Sequence, residues 1–313
     1  MASADITVII LTHNEALHIE RAIASVRSIA ARVLVVDSGS TDDTIERARR
    51  AGGDILHNDW VNHATQFNWA LDHGDIRTGW VMRLDADEVI EPDLAARIAA
   101  ELPLQPADVA GISFARKHIF MGRWIRYGGR YPLMLLRLWR AGQGRVENRW
   151  MDEHVAVGGG RVITMPGGFA DHNLHDLSAF IAKHNGYATL EAIDRLDERY
   201  ALGLSDTPEA AAMPQQAGLK RWLKQRVYNR LPLGVGPLAY FLYRMIFRLG
   251  FLDGRAGLIY HALQGFWYRF LVDAKVLELE GELGKAGCQT AAERRALLSA
   301  LTGHKLTAPG DEA

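Results

Sequence analysis

"VMRLDADEVI", residues 81–90, begins as an apolar run that predicts a buried strand and ends in acidic residues. Three carboxylates, Asp85, Asp87 and Glu88, lie within four positions. Like charges this close repel one another and lose hydration when a strand end is packed. We therefore expect a cation, or a ligand that carries a cation, at the end of this strand.

Strand-like and helical patterns alternate on the N-terminal side of this stretch. The predicted elements are strand Ile6–Leu11, helix Ala16–Ala30, strand Val33–Val36, helix Asp42–Ala51, strand Asp54–His57, helix Ala64–His73 and strand Trp80–Leu84. This alternation predicts an α/β fold, a mostly parallel sheet flanked by helices, with ligand sites at the carboxyl ends of the strands. From Ile112 to Met165, short strand-like segments and glycine pairs predict an antiparallel extension of the sheet.

Composition excludes several classes of protein. The 313 residues contain 36 Lys+Arg and 37 Asp+Glu, so the net charge argues neither for nor against a nucleic-acid partner. A single cysteine, Cys288, excludes an internal disulfide framework and a thiolate metal cluster. "MASADITVII" lacks the pattern of a signal peptide, and the longest charge-free stretches of the apolar C-terminal third are too short to cross a bilayer as a helix. We expect no membrane-spanning segment.

The first two strands end in polar residues that suit a nucleoside. Neither a Gly-x-Gly-x-x-Gly turn nor a P-loop follows the first strand, which ends in "LTHNEALHIERAI". There Thr12 or Asn14 can cap the next helix, and the Glu15 carboxylate can accept a ligand hydroxyl. Asp37 ends the second strand, where a carboxylate can accept N–H and hydroxyl groups of a nucleoside. The alternative for Glu15 is a solvated side chain on a capped helix.

Three stretches resemble the successive signatures of family 2 glycosyltransferases of the GT-A fold, which is Rossmann-like. They are "VIILTHNEALHIERAIASV", "VLVVDSGSTDDT" and "WVMRLDADEVI", with Asp85–Ala86–Asp87 as the Asp-x-Asp motif. The resemblance implies a nucleotide-diphosphosugar donor, and UDP is the favoured nucleotide. It places Asp37 on the base, Thr12, Asn14 and Glu15 near base and ribose, and Asp85, Ala86 and Asp87 at ribose, diphosphate and metal.

The acidic motif suits a hard divalent ion. Mg²⁺ and Mn²⁺ prefer oxygen ligands, and Mg²⁺ in particular takes only one or two protein carboxylates beside phosphate oxygens and water. In an extended segment Asp85 and Asp87, at i and i+2, point to one side and can meet the same ion. The alternative is an exposed acidic turn before the predicted helix "EPDLAARIAAEL", whose first turn favours acids.

The resemblance extends more thinly to three further groups. Gln66 and Asn68 in "NHATQFNWALDH" resemble a segment that borders the donor pocket, the alternative being a buried polar helix face. Arg130, Arg137 and Arg140 can bind a diphosphate or an anionic acceptor through bidentate hydrogen bonds, or can be surface charges, and we assign a ligand role to Arg137. In "FADHNLHDLSAFIAKHN" the resemblance gives His172 a contact with the diphosphate or its metal, and His175 and His184 are interpreted as capping or packing residues.

A catalytic base is expected in "MDEH". The surrounding "WIRYGGRYPLMLLRLWRAGQGRVENRWMDEHVAVGGG" resembles the acceptor region of lipopolysaccharide-core and exopolysaccharide glycosyltransferases, where an acid after the sheet extension is the base. Such a base contributes typically 10²–10⁴-fold to the rate. Asp152 and Glu153 point in opposite directions if the segment is a strand, so we expect one of them to face the acceptor and favour Glu153.

The C-terminal third combines basic and aromatic residues. Between Glu209 and Asp253 there is no acid, but there are seven bases: Lys220, Arg221, Lys224, Arg226, Arg230, Arg244 and Arg248. Such a stretch, interleaved with aromatic rings, can lie in the plane of an anionic membrane. Nucleic acid could also attract the charge, and an ordinary packed helix pair is a further alternative. The stretch from Gly250 to Glu280 resembles the tail of membrane-associated transferases, which favours the membrane.

These observations predict a metal-dependent, inverting glycosyltransferase at the inner face of the cell membrane, with a lipid-linked or lipopolysaccharide acceptor. The predicted organisation is a GT-A catalytic domain over residues 1–200 with donor and acceptor halves that meet at residue 100, a linker over 201–218, an amphipathic helical region over 219–285 and a tail over 286–313. The alternatives are a sugar nucleotidyltransferase, for which a basic phosphate loop is missing, and a non-catalytic carbohydrate-binding protein docked to the membrane.

Overall fold

The computed structural model describes residues 5–147, 154–204 and 232–306. These residues form two compact units, which divide between His175 and Asp176. The described residues exclude two sets that the sequence analysis singled out. These are the predicted catalytic carboxylates Asp152 and Glu153 and the basic side chains from Lys220 to Arg230.

The first unit is built on one large mixed sheet. Its strands are β1 Ile6–Thr12, β2 Arg32–Asp37, β3 Asp54–His57, β4 Trp80–Arg83, β5 Glu88–Ile90, β6 Val109–Phe120, β7 Arg123–Trp124, β8 Leu133–Arg140, β9 Gly144–Val146, β10 Val155–Val157 and β11 Arg161–Asp171. Its helices are α1 Ile19–Val26, α2 Thr44–Arg50, α3 His63–His73 and α4 Pro92–Glu101, the last followed by a 3₁₀ turn.

The sheet has a parallel half and a mixed half. Its order is β3-β2-β1-β4-β8-β6-β11-β5, with β7 paired to β6 and a separate β9–β10 pair. The first four strands are parallel, β8 is antiparallel to both neighbours, β11 is parallel to β6, and β5 is antiparallel to β11. The predicted α/β sheet with an antiparallel extension is confirmed.

The central strands are apolar on both sides because helices cover both faces of the sheet. In β1, Val8 and Ile10 belong to a core that includes the buried side of α1 and of α4. Ile9, between them, points to the opposite face and packs with α3, where Phe67 is buried. Side chains alternate between faces along a strand, so a strand covered on both faces is apolar throughout.

The local predictions hold closely, with one correction at the first helix. Every strand and helix predicted before residue 90 is present, most of them within one or two residues of the predicted ends. However, α1 begins only at Ile19, with His18 at its N-cap and no side-chain cap. The prediction that Thr12 or Asn14 caps this helix is wrong, because the Thr12 side chain binds Asp37 at the end of β2 and the Asn14 side chain binds the loop after β2.

The second unit is helical. Its helices are α5 Leu177–Tyr200, α6 Val235–Leu242, α7 Gly254–Tyr260, α8 Tyr268–Ala286 and α9 Ala291–Thr302, with π-helical turns at Tyr243–Phe247 and His261–Trp267 and a 3₁₀ turn at Gly250–Asp253. Ile193 and Leu196 of α5 form a core with Val276, Leu279 and Leu283 of α8.

The structure divides the chain differently from the predicted domains. Helix α5, which was assigned to the catalytic domain, packs with the C-terminal helices because its apolar stripe meets that of α8. Leu202 and Leu204, at the start of the predicted linker, are buried in the same core. The predicted tail contains α9, which begins at a capping box formed by Thr290 and Glu293.

Among the described residues, no single helix is long and apolar enough to cross a membrane. The segments Val235–Phe247 and Gly250–Ala286 reach that length and hydropathy only when taken together, and they are bent by 74° at the break between them.

The close packing of the turn before β11 against the start of β6 can be tested by substitution. A Cβ atom at Gly160 would lie 2.5 Å from the carbonyl oxygen of Asp108, which accepts a hydrogen bond from the Arg161 N–H at the start of β11. At Gly158 a Cβ atom would meet nothing within 4 Å. We expect Gly160→Ala to lower the free energy of unfolding by about 1–3 kcal/mol. Gly158→Ala, the control, should change it by less than about 0.5 kcal/mol. Urea unfolding followed by circular dichroism measures both, and equal effects would contradict this packing.

Candidate functional site

The carboxyl ends of β1 and β2 meet at Asp37. Thr12 and Asp37 are register partners, and the Thr12 hydroxyl donates to Asp37 at 3.2 Å. The buried Asp37 carboxylate also accepts from the Ser40 hydroxyl and from the backbone N–H groups of Gly39 and Ser40. Burial raises the pKa of Asp37, but the hydrogen bonds from Ser40, Gly39 and Thr12 outweigh it and lower the pKa below its usual value. Asp37 is thus an ionised anchor for this loop.

The two loops after β1 and β2 are bonded to one another. Asn14 adopts a left-handed backbone with φ 56°, and its side-chain oxygen accepts from the Thr41 N–H at 2.8 Å. The Asn14 N–H donates to the Ser40 hydroxyl at 2.9 Å, and the Glu15 N–H donates to the Thr44 hydroxyl at 2.7 Å. The structure therefore brings Thr12, Asn14, Glu15 and Asp37 together, as predicted.

The acidic motif after β4 is compensated by a buried arginine. The Arg137 guanidinium, from β8, donates through one nitrogen to Asp85 at 2.8 Å and to Glu88 at 2.6 Å. The side chains of Arg137 and Glu88 are 8% and 1% exposed, whereas that of Asp85 is 39% exposed. Arg137 is present where a ligand role was predicted, but its contacts in the structure are with the protein's own acids.

The two acids that share Arg137 have opposite pKa shifts. Partial burial raises the pKa of Asp85, but the charges of Arg137 and Arg83 outweigh it and hold the pKa well below its usual range. Burial raises the pKa of Glu88 to about 7, with Asp85 adding to the rise and Arg137 opposing it. Asp85 also faces Arg83 at 3.3 Å, and Glu88 faces Arg116 at 3.7 Å. Arginines thus supply much of the positive charge that was expected at this strand end.

Asp87 points to a different environment. Its backbone carbonyl accepts from the His172 N–H at 3.0 Å, and its carboxylate accepts from the Asn173 side chain at 3.1 Å. The Arg21 guanidinium donates to the His172 carbonyl at 2.5 Å and to His172 Nδ1 at 3.2 Å. Burial, with the charge of Arg21, lowers the pKa of His172. His172 thus lies next to the acidic motif, and its predicted contact with the diphosphate or its metal stays a prediction.

A second group of possible metal ligands consists of Glu15, His18 and His175, whose ligand atoms lie within 4.8 Å of one another. The buried His18 ring contacts Glu15 through Nδ1 at 2.5 Å and accepts the Leu174 N–H at Nε2, 2.9 Å away. Because Nε2 accepts, Nδ1 carries the proton and donates it to Glu15. Both nitrogens are therefore occupied, and His18 functions as a brace between α1 and the segment after β11.

The side-chain amides of helix α3, Gln66 and Asn68, form hydrogen bonds with other residues of the protein. Gln66 is 1% exposed and exchanges hydrogen bonds with the side chain and carbonyl of Asn58. Asn68 pairs with the backbone N–H and carbonyl of Val146, as a neighbouring strand would. These contacts fit the alternative of a polar helix face that packs against the protein. Ala86, in the middle of the acidic motif, is 5% exposed.

Sequence reasoning missed four residues of this site: His18, Arg21, Arg83 and Arg116. Each contacts the acidic motif or the loops beside it. A signal was available for the arginines, since three acids within four positions at a packed strand end require counter-charges and Arg137 interrupts an apolar run in β8. The sequence contained no signal for the pairing of His18 with Leu174. Asp152 and Glu153 stay predictions, since they lie outside the described residues.

Comparison with known proteins identifies the family to which the chain belongs. Residues 7–163 match the family model described as Glycosyl transferase family 2. A protein of Rickettsia bellii (strain RML369-C) named "Uncharacterized glycosyltransferase" is 39% identical over 93 residues, which are 30% of this chain and 31% of that protein. The chain thus matches about a third of the length of that relative.

Two further similarities extend the comparison. "Lipopolysaccharide core biosynthesis glycosyltransferase LpsC" of Rhizobium meliloti (strain 1021) is 26% identical over 276 residues, 86% of this chain and 90% of LpsC. The crystal structure of glucosyl-3-phosphoglycerate synthase from Mycobacterium tuberculosis with Mn²⁺ and UDP is 22% identical, with a TM-score of 0.30, over 36% of this chain and 43% of that one.

The Arg137 pairing can be tested by removing the charge. We expect Arg137→Met to lower the free energy of unfolding by about 3–5 kcal/mol, because Asp85 and Glu88 lose the charge between them. Adding Glu88→Met to that variant should restore most of the loss. Arg145→Met, which removes an exposed pair with Asp72, is the control and should cost about 0–1 kcal/mol. Urea unfolding measures all three, and no recovery in the double variant would contradict the pairing.

Proposed function

The chain belongs to glycosyl transferase family 2, and we propose that it transfers a sugar from a nucleotide diphosphate, UDP in the first place, to a lipid-linked or lipopolysaccharide-type acceptor. The observation that carries this proposal is the sheet topology: β2, β1 and β4 are adjacent and parallel, so Asp37 and the turn with Asp85 and Asp87 lie at the same carboxyl edge. Carboxyl edges of parallel strands are the usual ligand sites of such sheets. The matching signatures of the first ninety residues support the same donor.

The loops after β1 and β2 are proposed to hold the nucleoside. Thr12, Asn14 and Asp37 form a bonded frame whose backbone is fixed before a ligand arrives. The Asp37 oxygens already accept four hydrogen bonds, so a base N–H has to share or replace the bond from Ser40 or Thr12. Glu15, whose orientation is fixed by His18, is proposed to face the ribose.

The divalent ion is proposed to bind at Asp87 and His172, whose backbones are hydrogen-bonded to one another. His172 Nδ1 already accepts from a cation, the Arg21 guanidinium, so this position suits positive charge. We propose that Asp87 and His172 hold Mg²⁺ or Mn²⁺ after Arg21 yields its place at His172. Asp85 lies close in sequence but has arginines against both oxygens, which fits a contribution through charge or a ribose contact better than direct ligation. Bound there, the ion would neutralise the leaving diphosphate.

Transfer is proposed to invert the anomeric carbon. One carboxylate, Glu153 in first place and Asp152 in second, takes the proton of the acceptor hydroxyl as its oxygen attacks from the face opposite the diphosphate. The bond to the diphosphate breaks in the same step, and the released charge is left on the diphosphate beside the ion and the nearby arginines. Arg83, Arg116 and Arg137 keep that end of the site positive enough to hold the acids and the diphosphate together.

The proposed acceptor is a lipid-linked or lipopolysaccharide-type glycan. The similarity to LpsC, whose name assigns it to lipopolysaccharide core biosynthesis, covers most of both chains and supports an acceptor of that class. Growing glycans of this kind stay attached to lipid, so the enzyme is proposed to work at the inner face of the cell membrane. An exopolysaccharide intermediate on a lipid carrier would satisfy the same chemistry.

The metal proposal predicts a loss at Asp87. We expect Asp87→Asn to reduce sugar transfer by roughly 100-fold or more, because the charge that holds the ion on the leaving group is lost. Calorimetry with UDP, GDP and ADP, each with and without Mn²⁺, should show Mn²⁺-dependent binding of UDP to the native chain and not to the variant. Asp93→Asn, an exposed acid in the first turn of α4, is the control and should change neither measurement. Full transfer by Asp87→Asn would refute the metal site.

The base is tested separately. Because one carboxylate is proposed to take the acceptor proton, Glu153→Gln and Asp152→Asn should differ, one lowering kcat by about 10²–10⁴-fold and the other by much less. UDP binding should survive in both variants, since neither removes a donor contact. Two small losses would place the base elsewhere in the chain.

A further inference from the structure

The second unit has a large apolar surface. Nearly half of the exposed large apolar side chains in the described part of the chain lie within one short segment. They are Leu233, Val235, Leu238, Leu242, Tyr243, Ile246, Phe247, Leu249, Phe251, Leu252 and Leu258. Soluble proteins rarely expose contiguous apolar patches of this kind, and those that do use them to bind a partner or a membrane.

The segment is a bent helical hairpin. One arm runs from Val235 to Phe247 and the other begins at Gly250, and the two are bent by 74°. Leu249, with φ 57°, breaks the helix between the arms, and Gly254, with φ 67°, follows the 3₁₀ turn at the start of the second arm. The side chains around this break are strongly exposed: Ile246 is 56%, Phe247 75% and Phe251 54% exposed. We call residues 246–252 the hairpin tip.

The exposed charges of the segment have one sign. Between Pro232 and Tyr260 the charged residues are Arg244, Arg248, Asp253 and Arg255. Asp253 is 2% exposed and lies beside His261, whereas Arg248 and Arg255 are exposed. The acid-free stretch after Glu209 adds further bases before this segment in the sequence. Positive charge around an apolar tip complements an anionic bilayer surface, at about 1 kcal/mol for each base near it.

The buried Arg244 has partners within the hairpin. Arg244 is 1% exposed, donates to the Gln264 side chain at 2.5 Å and lies 5.6 Å from the ring centres of both Tyr240 and Tyr260. Arg269 lies 4.1 Å from the ring centre of Tyr240. A segment that enters hydrocarbon has to pair its polar groups within itself, and these contacts do so for the buried arginine.

We infer that the hairpin tip inserts into one leaflet of an anionic membrane without crossing it. Neither arm is long and apolar enough to span a bilayer, so the tip would enter to about 5–10 Å, the depth of interfacial helices. This inference deepens the proposed function, on which its purpose rests: an enzyme whose acceptor stays on lipid gains access to it by residing at the surface. A second copy of the chain is the other possible occupant of the apolar surface, and the experiment separates the two.

Vesicle flotation tests the insertion. The full chain is mixed with vesicles of phosphatidylcholine alone, or with phosphatidylglycerol added, in buffer and in about 0.5 M NaCl, which screens surface charge. We expect binding to the anionic vesicles that partly survives the salt. Phe247→Ser with Phe251→Ser should lower the apparent partition coefficient at least tenfold, or about 1.4 kcal/mol. Leu104→Ser, which changes a side chain 78% exposed in the first unit, is the matched control and should bind like the native chain.

A fluorophore reports the depth. Cys288→Ser removes the one cysteine of the chain. In that background, an environment-sensitive dye on Phe247→Cys should shift to the blue and become protected from iodide when anionic vesicles are added, whereas a dye on Leu104→Cys should not. Undiminished flotation of the double serine variant would overturn the inference. So would a dye shift that depends on protein concentration without vesicles, because a second copy would then cover the surface.

The experiments distinguish a failure of the membrane inference from a failure of the proposed function. A chain that binds UDP with Mn²⁺ but leaves the vesicles unbound contradicts the insertion only. A chain that floats with vesicles through its tip but binds no nucleotide contradicts the transferase proposal and leaves the insertion supported.

Discussion

The candidate site depends on one buried guanidinium. Arg137 lies between Asp85, which follows the last parallel strand, and Glu88, which begins the edge strand β5. Without it, two carboxylates would meet at a packed strand end, and the cost of an unpaired buried charge is several kcal/mol. The same contact joins the parallel half of the sheet to the mixed half. It therefore fixes the turn in which Asp87 is held.

This arrangement gives the three acids different tasks. Asp85 and Glu88 are engaged by Arg137, Arg83 and Arg116, so they contribute to the charge and shape of the site from within the protein. Asp87 is turned towards the segment after β11, where His172 and Asn173 lie. His18, at the N-cap of α1, and Arg21, within α1, bind that segment through its backbone. A helix packed on the parallel half thereby positions a loop from the mixed half.

The second unit follows a different physical logic. Its core, formed by α5 and α8, is an ordinary packing of apolar stripes, and α9 closes the same cluster with Leu298. The hairpin from Val235 onward departs from this pattern because its large apolar side chains face outward. An apolar surface bordered by arginines and folded around an internally paired Arg244 suits the boundary between water and lipid. A transferase with a lipid-linked acceptor has a use for such a surface.

The sequence by itself determined the order of strands and helices, the parallel half of the sheet and the strand ends at which Thr12, Asp37 and Asp85 lie. These features follow from local periodicity and from residues at the ends of apolar runs, which act within a few positions of the chain. For His172, the family resemblance predicted a contact with the diphosphate or its metal, which stays a prediction. Tertiary structure alone decided that Arg137, 52 positions away, pairs with Asp85, and that Leu174 binds His18 across 156 positions. It likewise assigned α5 to the second unit. Periodicity fixes which face of an element is apolar, whereas strand register and helix packing select the partner that this face meets, and those contacts join residues too distant for any local pattern to specify.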